Sequence, residues 1–333
     1  MWIKDILEKN KKIMALSPMA DMTDPAFCRI VRRIGGADIV FREMVSSEAL
    51  ARGNEKTLRM TEFHPEERPI VQQIFGADPR TMARAAYIVM EHARPEGIDI
   101  NMGCPVYKIT SNFNGCALMR EPDLAAKIIK EMKSAIGETP LSVKIRLGWS
   151  NPDDFKNFIP IIEKAGADLI TIHGRTKEQG YSGKSDWERI KQAKRVATVP
   201  LLANGDIHEP AQVGDALAAT GADGVLIARG ALGNPWFFKS TNRLSESTNF
   251  YPNQRISKSA NVSLEERKKI VLAHAKQHLE QYGERGIVTF RKHLAWYFKT
   301  NKIGIEIPGV KEWRVKAVRV SSLVELEELL KEI

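Results

Sequence analysis

The sequence predicts an α/β fold: a (β/α)8 barrel of the TIM type, followed by a small C-terminal all-α domain. Two observations lead to this prediction. Short apolar runs recur every 25 to 35 residues between residue 13 and about residue 230, and each precedes a longer stretch with helical periodicity. Eight such units equal the number that closes a barrel. An open doubly wound sheet is the structural alternative, which the absence of a GxGxxG motif after the first run disfavours.

The predicted strands follow one another at even spacing. They cover residues 13–18, 37–41, 69–75, 98–102, 141–146, 169–173, 200–203 and 224–228. Turn formers mark the helices between them, because Gly137 closes a helix over 122–136 and Gly166 closes one over 153–165. At 43% hydrophobic residues, the chain has enough apolar material for a large core.

The carboxyl ends of the predicted strands meet at one face, where barrels of this type keep their active sites. Almost every strand ends in polar or glycine residues, which is typical of a ligand site. The segments that meet there are Pro18-Met19-Ala20, Arg42-Glu43-Met44, Gln72-Gln73, residues 101–104, Lys144 with Arg146, His173-Gly174-Arg175, Asn204-Gly205-Asp206 and Ala228-Arg229-Gly230.

The last two strand ends predict a phosphate site. Gly205 and Gly230 allow backbone N–H groups to approach an anion closely, and Arg229 can add a bidentate contact. The alternative is that both segments are ordinary turns, in which the glycines serve only the backbone geometry.

Other strand-end side chains suit a polar ring. Lys144 lies inside an apolar strand, where an inward charge needs an anion or a strongly polar group. Gln73 and Asn101 offer amide donors and acceptors to the edge of a heterocycle. His173 could bind phosphate, contact a cofactor ring or simply pack. No second ligand stands at metal spacing from it, so we expect no metal site.

The main candidate for chemistry is Cys104, in Asn101-Met102-Gly103-Cys104-Pro105. It follows the fourth predicted strand, where a thiol can be an acid, a nucleophile or a packing residue. We interpret Cys28 and Cys116 as packing residues. Three cysteines without CxxC spacing argue against a disulfide framework and against a cysteine-based zinc site.

The positive charge is concentrated in the C-terminal part of the chain. The formal net charge is +9, and residues 240–333 carry 17 Lys and Arg against 11 Glu and no Asp. This surplus favours a polyanionic partner. No uncharged apolar run of about 18 residues occurs and the N-terminal segment is charged, so we expect no membrane span, no secretory signal and a cytoplasmic location.

A polar stretch separates the barrel from the tail. We expect a barrel over residues 1–240, a linker over 241–262 and a basic helical domain over 263–333. Ser263 and Glu266 resemble a capping box that opens a helix to about Tyr282, and further helices are expected over 287–301 and 323–333. The tail mixes cations and aromatics, which suits RNA or merely a solvated basic face: Arg291, Lys292, His293, Trp296, Tyr297, Lys299 and Lys302.

Taken together, these motifs resemble the tRNA-dihydrouridine synthases, flavin enzymes that reduce selected uridines in tRNA. The resemblance covers most of residues 14–240 in order and part of the helical domain. It rests on residues 17–24 (SPMADMTD), 43–46, 73–76, 99–105, 143–148, 173–176 (HGRT), 179–183, 186–187, 203–207 and 227–237, with Arg291-Lys292-His293 and Trp296-Tyr297 in the tail. The combination is specific, whereas the NxGCP motif alone would be weak.

The resemblance implies FMN at the C-terminal face of the barrel, reduced by NADPH or NADH. The residues that it assigns to FMN are Pro18, Met19, Ala20, Gln73, Asn101, Lys144, His173, Asn204, Gly205, Asp206, Ala228 and Arg229. It makes Cys104 the general acid that protonates C5 of uracil while hydride adds to C6. A free thiol is mostly protonated at neutral pH, so it suits this role.

The tRNA contacts implied by the resemblance are Glu43, Arg146, Arg175, Tyr181, Arg291 and Lys292, in a protein expected to be a monomer. Two segments depart from the family's pattern. Ala228 stands where many relatives have Gly, and Asp21-Met22 replaces a Gly-Val or Gly-Ile pair in the first loop, which affects how the flavin ring is covered.

Two other functions stay open at this point. One is an FMN barrel oxidoreductase that acts on a free pyrimidine or another small enone, and the other is a tRNA-binding folding factor with a secondary flavin site. The sequence does not say which uridine of tRNA is modified.

Overall fold

The computed structural model describes residues 2–9, 11–111, 113–241, 262–299 and 307–333, and its eight parallel strands form a closed barrel. The first and last strands pair with each other, which excludes the open sheet. The strands are β1 (Ile13–Leu16), β2 (Ile39–Ser46), β3 (Ile70–Phe75), β4 (Gly97–Met102), β5 (Leu141–Arg146), β6 (Leu169–His173), β7 (Leu201–Asn204) and β8 (Gly224–Ile227).

Helices alternate with these strands and then form the tail. Within the described ranges they are α1 (Trp2–Leu7), α2 (Pro25–Ile34), α3 (Ser47–Ala51), α4 (Glu55–Arg59), α5 (Pro79–Ala93), α6 (Tyr107–Thr110), α7 (Pro122–Ile136), α8 (Phe155–Lys164), α9 (Trp187–Val196), α10 (Gln212–Thr220), α11 (Leu264–Tyr282), α12 (Gly286–Tyr297), α13 (Val310–Ala317) and α14 (Leu323–Lys331). Short 3-10 turns cover Pro65–Glu67, Gly115–Arg120 and Lys239–Thr241. None of these helices is long and apolar enough to cross a membrane.

The second strand is longer than predicted, while the others agree with the prediction within two residues. β2 continues to Ser46 rather than ending at residue 41, because the charge that interrupts its apolar run is neutralised inside the fold. Arg42 is buried and pairs with the buried Glu67 at 2.9 Å. A β-bulge between Arg42 and Val45 interrupts the pairing with β3. The periodicity of the sequence does not show that Glu67 is the partner of Arg42.

The barrel interior is apolar at one end and polar at the other. A buried cluster that includes Ile13, Phe41 and Leu226 fills the lower part, and Trp2 and Leu7 of α1 pack against it. Helix α1 therefore covers the end of the barrel opposite the carboxyl ends of the strands. Toward the carboxyl ends the strands carry a polar layer, which comprises Gln73, Asp99, Asn101, Ser142 and Lys144 on β3, β4 and β5.

The C-terminal helices have an apolar core of their own, which includes Phe290, Leu294 and Trp313. Ser263 is the N-cap of α11 as expected, because its hydroxyl accepts from the backbone N–H of Glu266 at 3.1 Å. Helix α13 lies where no helix was predicted. The predicted linker falls mainly on residues 242–261, which lie outside the described residues, and so do the last two residues predicted for the helix over 287–301.

The tail is joined to the barrel by polar contacts. Glu266 does not complete the predicted capping box, because its Oε1 accepts instead from Trp236 Nε1 at 3.0 Å. The buried Arg267 donates from Nη1 to the carbonyl oxygens of Gly233 at 2.9 Å and of Tyr297 at 3.1 Å. Gly233 has a φ of +68°, and a Cβ there would lie 2.2 Å from the carbonyl oxygen of Trp296. Glycine thus permits the close approach of the barrel's last segment to α12.

Candidate active site

A cavity of about 410 Å³ lies at the carboxyl ends of the strands, and its volume is typical of a small-molecule site. Its lining includes all twelve residues that the sequence assigned to a cofactor, together with Cys104, Arg146 and Tyr181. Lining residues that the sequence analysis did not assign to a ligand are Ser17, Met44, Gly103, Pro105, Val106, Ile207, His208 and Leu226. Most of them adjoin a predicted residue, so extending each strand end by one or two positions would have found them.

A chain of hydrogen bonds connects the polar layer to the loop of Cys104. Asp99 Oδ2 accepts from Gln73 Nε2 at 2.6 Å, and Gln73 Oε1 accepts from Asn101 Nδ2 at 2.8 Å. Asn101 Oδ1 then accepts from the backbone N–H of Cys104 at 2.9 Å and of Gly103 at 3.2 Å. We call this series the Asp99 chain. The Asp99 chain fixes the orientation of both amide groups at the cavity, because each amide oxygen and each NH2 group has an assigned partner.

Two opposite charges lie in the polar layer. Burial raises the pKa of Asp99 to about 6, although hydrogen bonds from Ser142 and Gln73 and the charge of Lys144 act in the other direction. Burial, reinforced by the positive charge of Arg146, lowers the pKa of Lys144 to about 8, against the effect of Asp99. The ammonium group of Lys144 lines the cavity and makes no hydrogen bond to the described residues. Lys144 therefore offers a cation to a ligand.

His173 is held neutral at the wall of the cavity. Burial lowers its pKa well below the ordinary range, and the nearby charges of Lys144 and Arg146 add to the effect. Its Nε2 lies 3.3 Å from Nη1 of Arg175. Because a guanidinium group only donates, Nε2 accepts, and we assign the ring proton to Nδ1. His173 thus has one N–H left to offer.

The predicted phosphate end contains a carboxylate that is already bound. Asp206 Oδ2 accepts from Arg175 Nη2 at 2.7 Å and from the backbone N–H of Ser185 at 2.7 Å. Arg229 lies 3.7 Å from the other oxygen. Gly205 has a φ of +117°, and a Cβ there would lie 2.4 Å from Ser185 Oγ, so only glycine fits. Asp206 therefore orients its neighbours, and an anion would meet Arg229 and backbone groups.

The three thiols lie in different environments. Cys104 is partly exposed, whereas Cys28 and Cys116 are buried. Burial raises the pKa of Cys116 to about 12 and that of Cys28 well above its ordinary value. Their burial agrees with the packing role expected for both. Cys104 is the thiol that a ligand in the cavity can reach.

The residues expected to contact tRNA lie in several settings. The guanidinium groups of Arg146 and Arg229 both lie over the exposed Tyr181 ring, 5.6 and 5.4 Å from its centroid. Arg175 is buried, and besides Asp206 it binds the carbonyl oxygens of residues 182 and 183. Glu43 is buried, and its Oε2 accepts from the backbone N–H of Asp21 at 2.8 Å. A tRNA contact by any of them stays a prediction.

The other two expected contacts lie in the tail. Arg291 donates from Nε and Nη2 to the carbonyl oxygens of Val320 at 2.8 Å and Arg319 at 3.0 Å, so its guanidinium group links α12 to the segment after α13. Lys292 Nζ lies 3.7 Å from Asp24 Oδ2. Neither residue is part of the cavity lining.

A second polar cluster, which the sequence analysis did not identify, lies between α2 and the tail. Asp24 caps α2, and its Oδ2 lies 3.3 Å from Nδ1 of His278 and 3.3 Å from Nε2 of His293. Burial alone would raise the pKa of Asp24, but His293 and His278 outweigh it and hold that pKa well below the ordinary value. The three ligand atoms lie within 4.8 Å of one another, as metal ligands do, but the Lys292 ammonium group already lies beside the same oxygen.

Comparison with protein families gives one match over nearly the whole chain. The model of the family described as dihydrouridine synthase (Dus) matches residues 15–333. A probable tRNA-dihydrouridine synthase 1 of Synechocystis sp. is 36% identical over 316 residues, which cover 94% of this chain and 84% of that protein. The tRNA-dihydrouridine synthase B of Pasteurella multocida is 36% identical over 293 residues, with 87% and 84% covered.

Two solved structures with the same barrel are much more distant in sequence. A 2-naphthoyl-CoA reductase in complex with 2-naphthoyl-CoA aligns with a TM-score of 0.54 at 12% identity, over 70% of this chain and 50% of that one. An old yellow enzyme homologue from Zymomonas mobilis aligns with a TM-score of 0.50 at 13% identity, over 75% and 91%. At these identities the similarity shows a shared fold.

Proposed function

The chain belongs to the dihydrouridine synthase family, and from this premise we propose that it reduces the C5–C6 double bond of specific uridines in tRNA to 5,6-dihydrouridine. One observation carries the proposal. The partly exposed thiol of Cys104 shares a single cavity with the cations of Lys144, Arg146 and Arg229. Such a site combines a proton donor with groups that attract a negatively charged cofactor and substrate.

We infer that the cavity holds FMN and that NADPH or NADH is the reductant. The residues present fit this group. Lys144 offers an ammonium group without a hydrogen-bond partner among the described residues, which suits the polar edge of a flavin. Arg229 and the backbone N–H groups beside Gly205 suit its phosphate, and Gly205 keeps this turn at a φ of +117°, where a Cβ would collide with Ser185 and His173. When bound, FMN supplies the hydride that adds to C6 of the uracil ring.

The protein then has to supply a proton at C5. The Cys104 S–H bond breaks and a C5–H bond forms, so that the ring gains one hydride and one proton, and solvent restores the thiol. The nicotinamide cofactor provides the two electrons. Cys28 and Cys116 cannot take this role, because both are buried away from the cavity lining.

The substrate has to bring its base into the cavity. A uridine leaves its stack at a cost of roughly a few kcal/mol, least in a flexible loop of the RNA. The exposed Tyr181 ring lies 5.4 Å from the partly exposed guanidinium group of Arg229, and the pair offers an aromatic face with a cation beside it at the cavity. We infer that this surface and the basic tail bind the tRNA backbone and the flanking bases.

The test is the Cys104→Ala variant. We expect dihydrouridine formation in tRNA to fall at least about 100-fold, because a positioned general acid contributes about two to four powers of ten. Flavin binding and NADPH oxidation should persist, because neither needs the thiol. Mass spectrometry of tRNA from cells that lack the protein, before and after complementation with each variant, measures the product and locates the modified uridine.

Cys116→Ala is the matched control, because it removes a thiol that the cavity does not contain, and it should keep the wild-type activity. Purified protein that binds no flavin, or full activity on tRNA in Cys104→Ala, would contradict the proposal. Equal activity on free uracil would favour a small-molecule reductase. Normal cellular function of Cys104→Ala without dihydrouridine would favour a tRNA-folding factor.

A further inference from the structure

The hydrogen bonds of the Asp99 chain are directional. An ionised carboxylate only accepts, whereas the amides of glutamine and asparagine can face either way. Because Asp99 accepts from Gln73, the NH2 group of Gln73 points to Asp99 and its oxygen points to Asn101. The NH2 group of Asn101 is used on that oxygen, so its own oxygen is left for the N–H groups of Gly103 and Cys104.

We propose that Asp99 is a positioning residue of the active site, whose carboxylate fixes the orientation of both amides and thereby anchors the loop of Cys104. The proposal rests on the proposed function, in which Cys104 is the proton donor. Asp99 is buried and does not line the cavity, so it acts on the site only through other residues. It has no established role in the chemistry described above.

The geometry of the barrel explains why Asp99 can do this. Gln73 on β3 and Ser142 on β5 stand in register with Asp99 on β4. Ser142 donates from Oγ to Asp99 Oδ1 at 2.5 Å, which holds the carboxylate in place and leaves Oδ2 for Gln73. Asn101 lies two residues beyond Asp99 on the same strand face, next to Gln73. The carboxylate, both amides and the start of the loop are thus connected by one continuous series of hydrogen bonds.

Removing the negative charge of Asp99 removes the constraint on the orientation of both amide groups. An asparagine at position 99 can donate as well as accept, so Gln73 is no longer forced to point its NH2 group toward residue 99. If Gln73 turns over, Asn101 has to accept from it and at the same time from the loop N–H groups. Competition for that one oxygen weakens the anchor of Gly103 and Cys104.

The test uses the thiols themselves. Iodoacetamide alkylation of each cysteine is followed by mass spectrometry in the wild type and in Asp99→Asn, without tRNA. Rates are compared at their high-pH plateau, so that thiol ionisation does not enter. We expect Cys104 to react about five- to tenfold faster in Asp99→Asn, because its loop opens more often. Cys28 and Cys116 should stay unreactive, since both are buried and report global folding.

Two further variants distinguish the effect of hydrogen-bond orientation from an effect of side-chain packing around residue 99. Ser142→Ala removes the other hydrogen bond of the same carboxylate and leaves the chain, so Cys104 should react within about twofold of the wild-type rate. Asp99→Asn combined with Asn101→Asp moves the acceptor two residues along β4, where it can accept from Gln73 and from the loop together. This double variant should restore a rate within about twofold of wild type.

The proposal is overturned if Asp99→Asn reacts at the wild-type rate, or if the double variant reacts as fast as Asp99→Asn. If the buried thiols react in Asp99→Asn, the Gln73→Met variant replaces it, because it breaks the same chain and keeps the hydrogen bond from Ser142 to the carboxylate. An unchanged alkylation rate of Cys104 in Gln73→Met then overturns the proposal. If the wild-type protein makes no dihydrouridine, the proposed function fails, whereas the alkylation rates still decide whether Asp99 anchors the loop.

Discussion

At the residue scale, the sequence predicted the polar side chains that reach the cavity but missed the residue that orients them. Lys144 was identified because a lysine inside an apolar strand has an unusual pattern. Asp99 stands in a similar apolar run, but the sequence pattern does not indicate its role, because its partners are distant in the chain. Gln73 lies 26 and Ser142 lies 43 positions away, and only closure of the barrel brings them beside it.

The buried carboxyl group of Asp99 predicts a specific dependence of stability on pH. Its pKa rises from 3.8 to about 6 on folding, so ionisation costs the folded state more than the unfolded state. The stability that this group contributes is complete below pH 3.8 and is lost as the pH rises through about 6. Between pH 4.5 and 7.5 the free energy of unfolding of the wild type should fall by about 2 kcal/mol relative to Asp99→Asn.

Urea unfolding of both proteins across this range measures the difference. Asp99→Asn is the reference, because it keeps the size of the side chain and removes the titration, while its altered hydrogen bonds change the free energy of unfolding by the same amount at every pH in this range. Groups that do not interact with Asp99 titrate alike in both proteins and cancel in the comparison. Stability curves that stay parallel between pH 4.5 and 7.5 would show that the carboxyl group of Asp99 is not perturbed.

At the element scale, the helix starts and strand spacings were predictable because they depend on neighbours in the chain. Ser263 was recognised as an N-cap from its own sequence, and α11 begins beside it. Glu266 was expected to complete a capping box and binds Trp236 instead, 30 positions away. The longer β2 depends likewise on Glu67, which neutralises Arg42 from a separate segment. Local rules therefore located most of the elements, though not α13, and the long-range ion pair of Arg42 with Glu67 accounts for the longer β2.

The cap of α2 also carries a prediction about the tail. Helix α2 packs against α11, and Asp24 at its start contacts His278 of α11 and His293 of α12. His293→Phe should lower the free energy of unfolding by about 2–4 kcal/mol, because it removes a donor from a buried carboxylate. Denaturant unfolding measures the loss, and hydrogen exchange in α12 shows whether the tail loosens first.

His92→Phe is the control, because His92 is a partly exposed histidine on α5, and its replacement should change stability by no more than about 0.5 kcal/mol. Equal stability of His293→Phe and the wild type would mean that the cluster around Asp24 does not hold the tail to the barrel.

At the scale of the whole molecule, the barrel and the helical tail were both predictable, because eight periodic units and a change in composition are properties of the sequence. The join between them was not. It depends on the buried Arg267 and on Gly233, where a Cβ would lie 2.2 Å from the carbonyl oxygen of Trp296, and no pattern in the sequence indicates either contact. The cluster around Asp24 was missed for the same reason, since its histidines are more than 250 positions away.

The charge distribution predicts strongly salt-dependent binding of tRNA. Between 50 and 200 mM salt the affinity should fall at least about tenfold, because Lys and Arg displace counterions from the RNA backbone. Lys299 is exposed beside Trp296 in the tail, 4.8 Å from the ring centroid. Lys299→Ala should reduce the slope of log affinity against log salt by about 1.

Lys4→Ala serves as the control, because Lys4 is exposed on α1, which covers the opposite end of the barrel. Filter binding or fluorescence titration at four salt concentrations gives each slope. Identical slopes for the two variants would show that the tail does not contact the RNA backbone at Lys299.

The first loop of the barrel contacts both the cavity and the helical tail. Pro18 and Met19 line the cavity, Thr23 closes the loop by accepting from the backbone N–H of Met19 at 2.9 Å, and Asp24 reaches the histidines of the tail. Whatever orders one end of this loop lowers the entropy cost of ordering the other. Thermodynamic reciprocity then requires that a filled cavity stabilises the docked tail by the same factor by which a docked tail tightens the binding of the ligand.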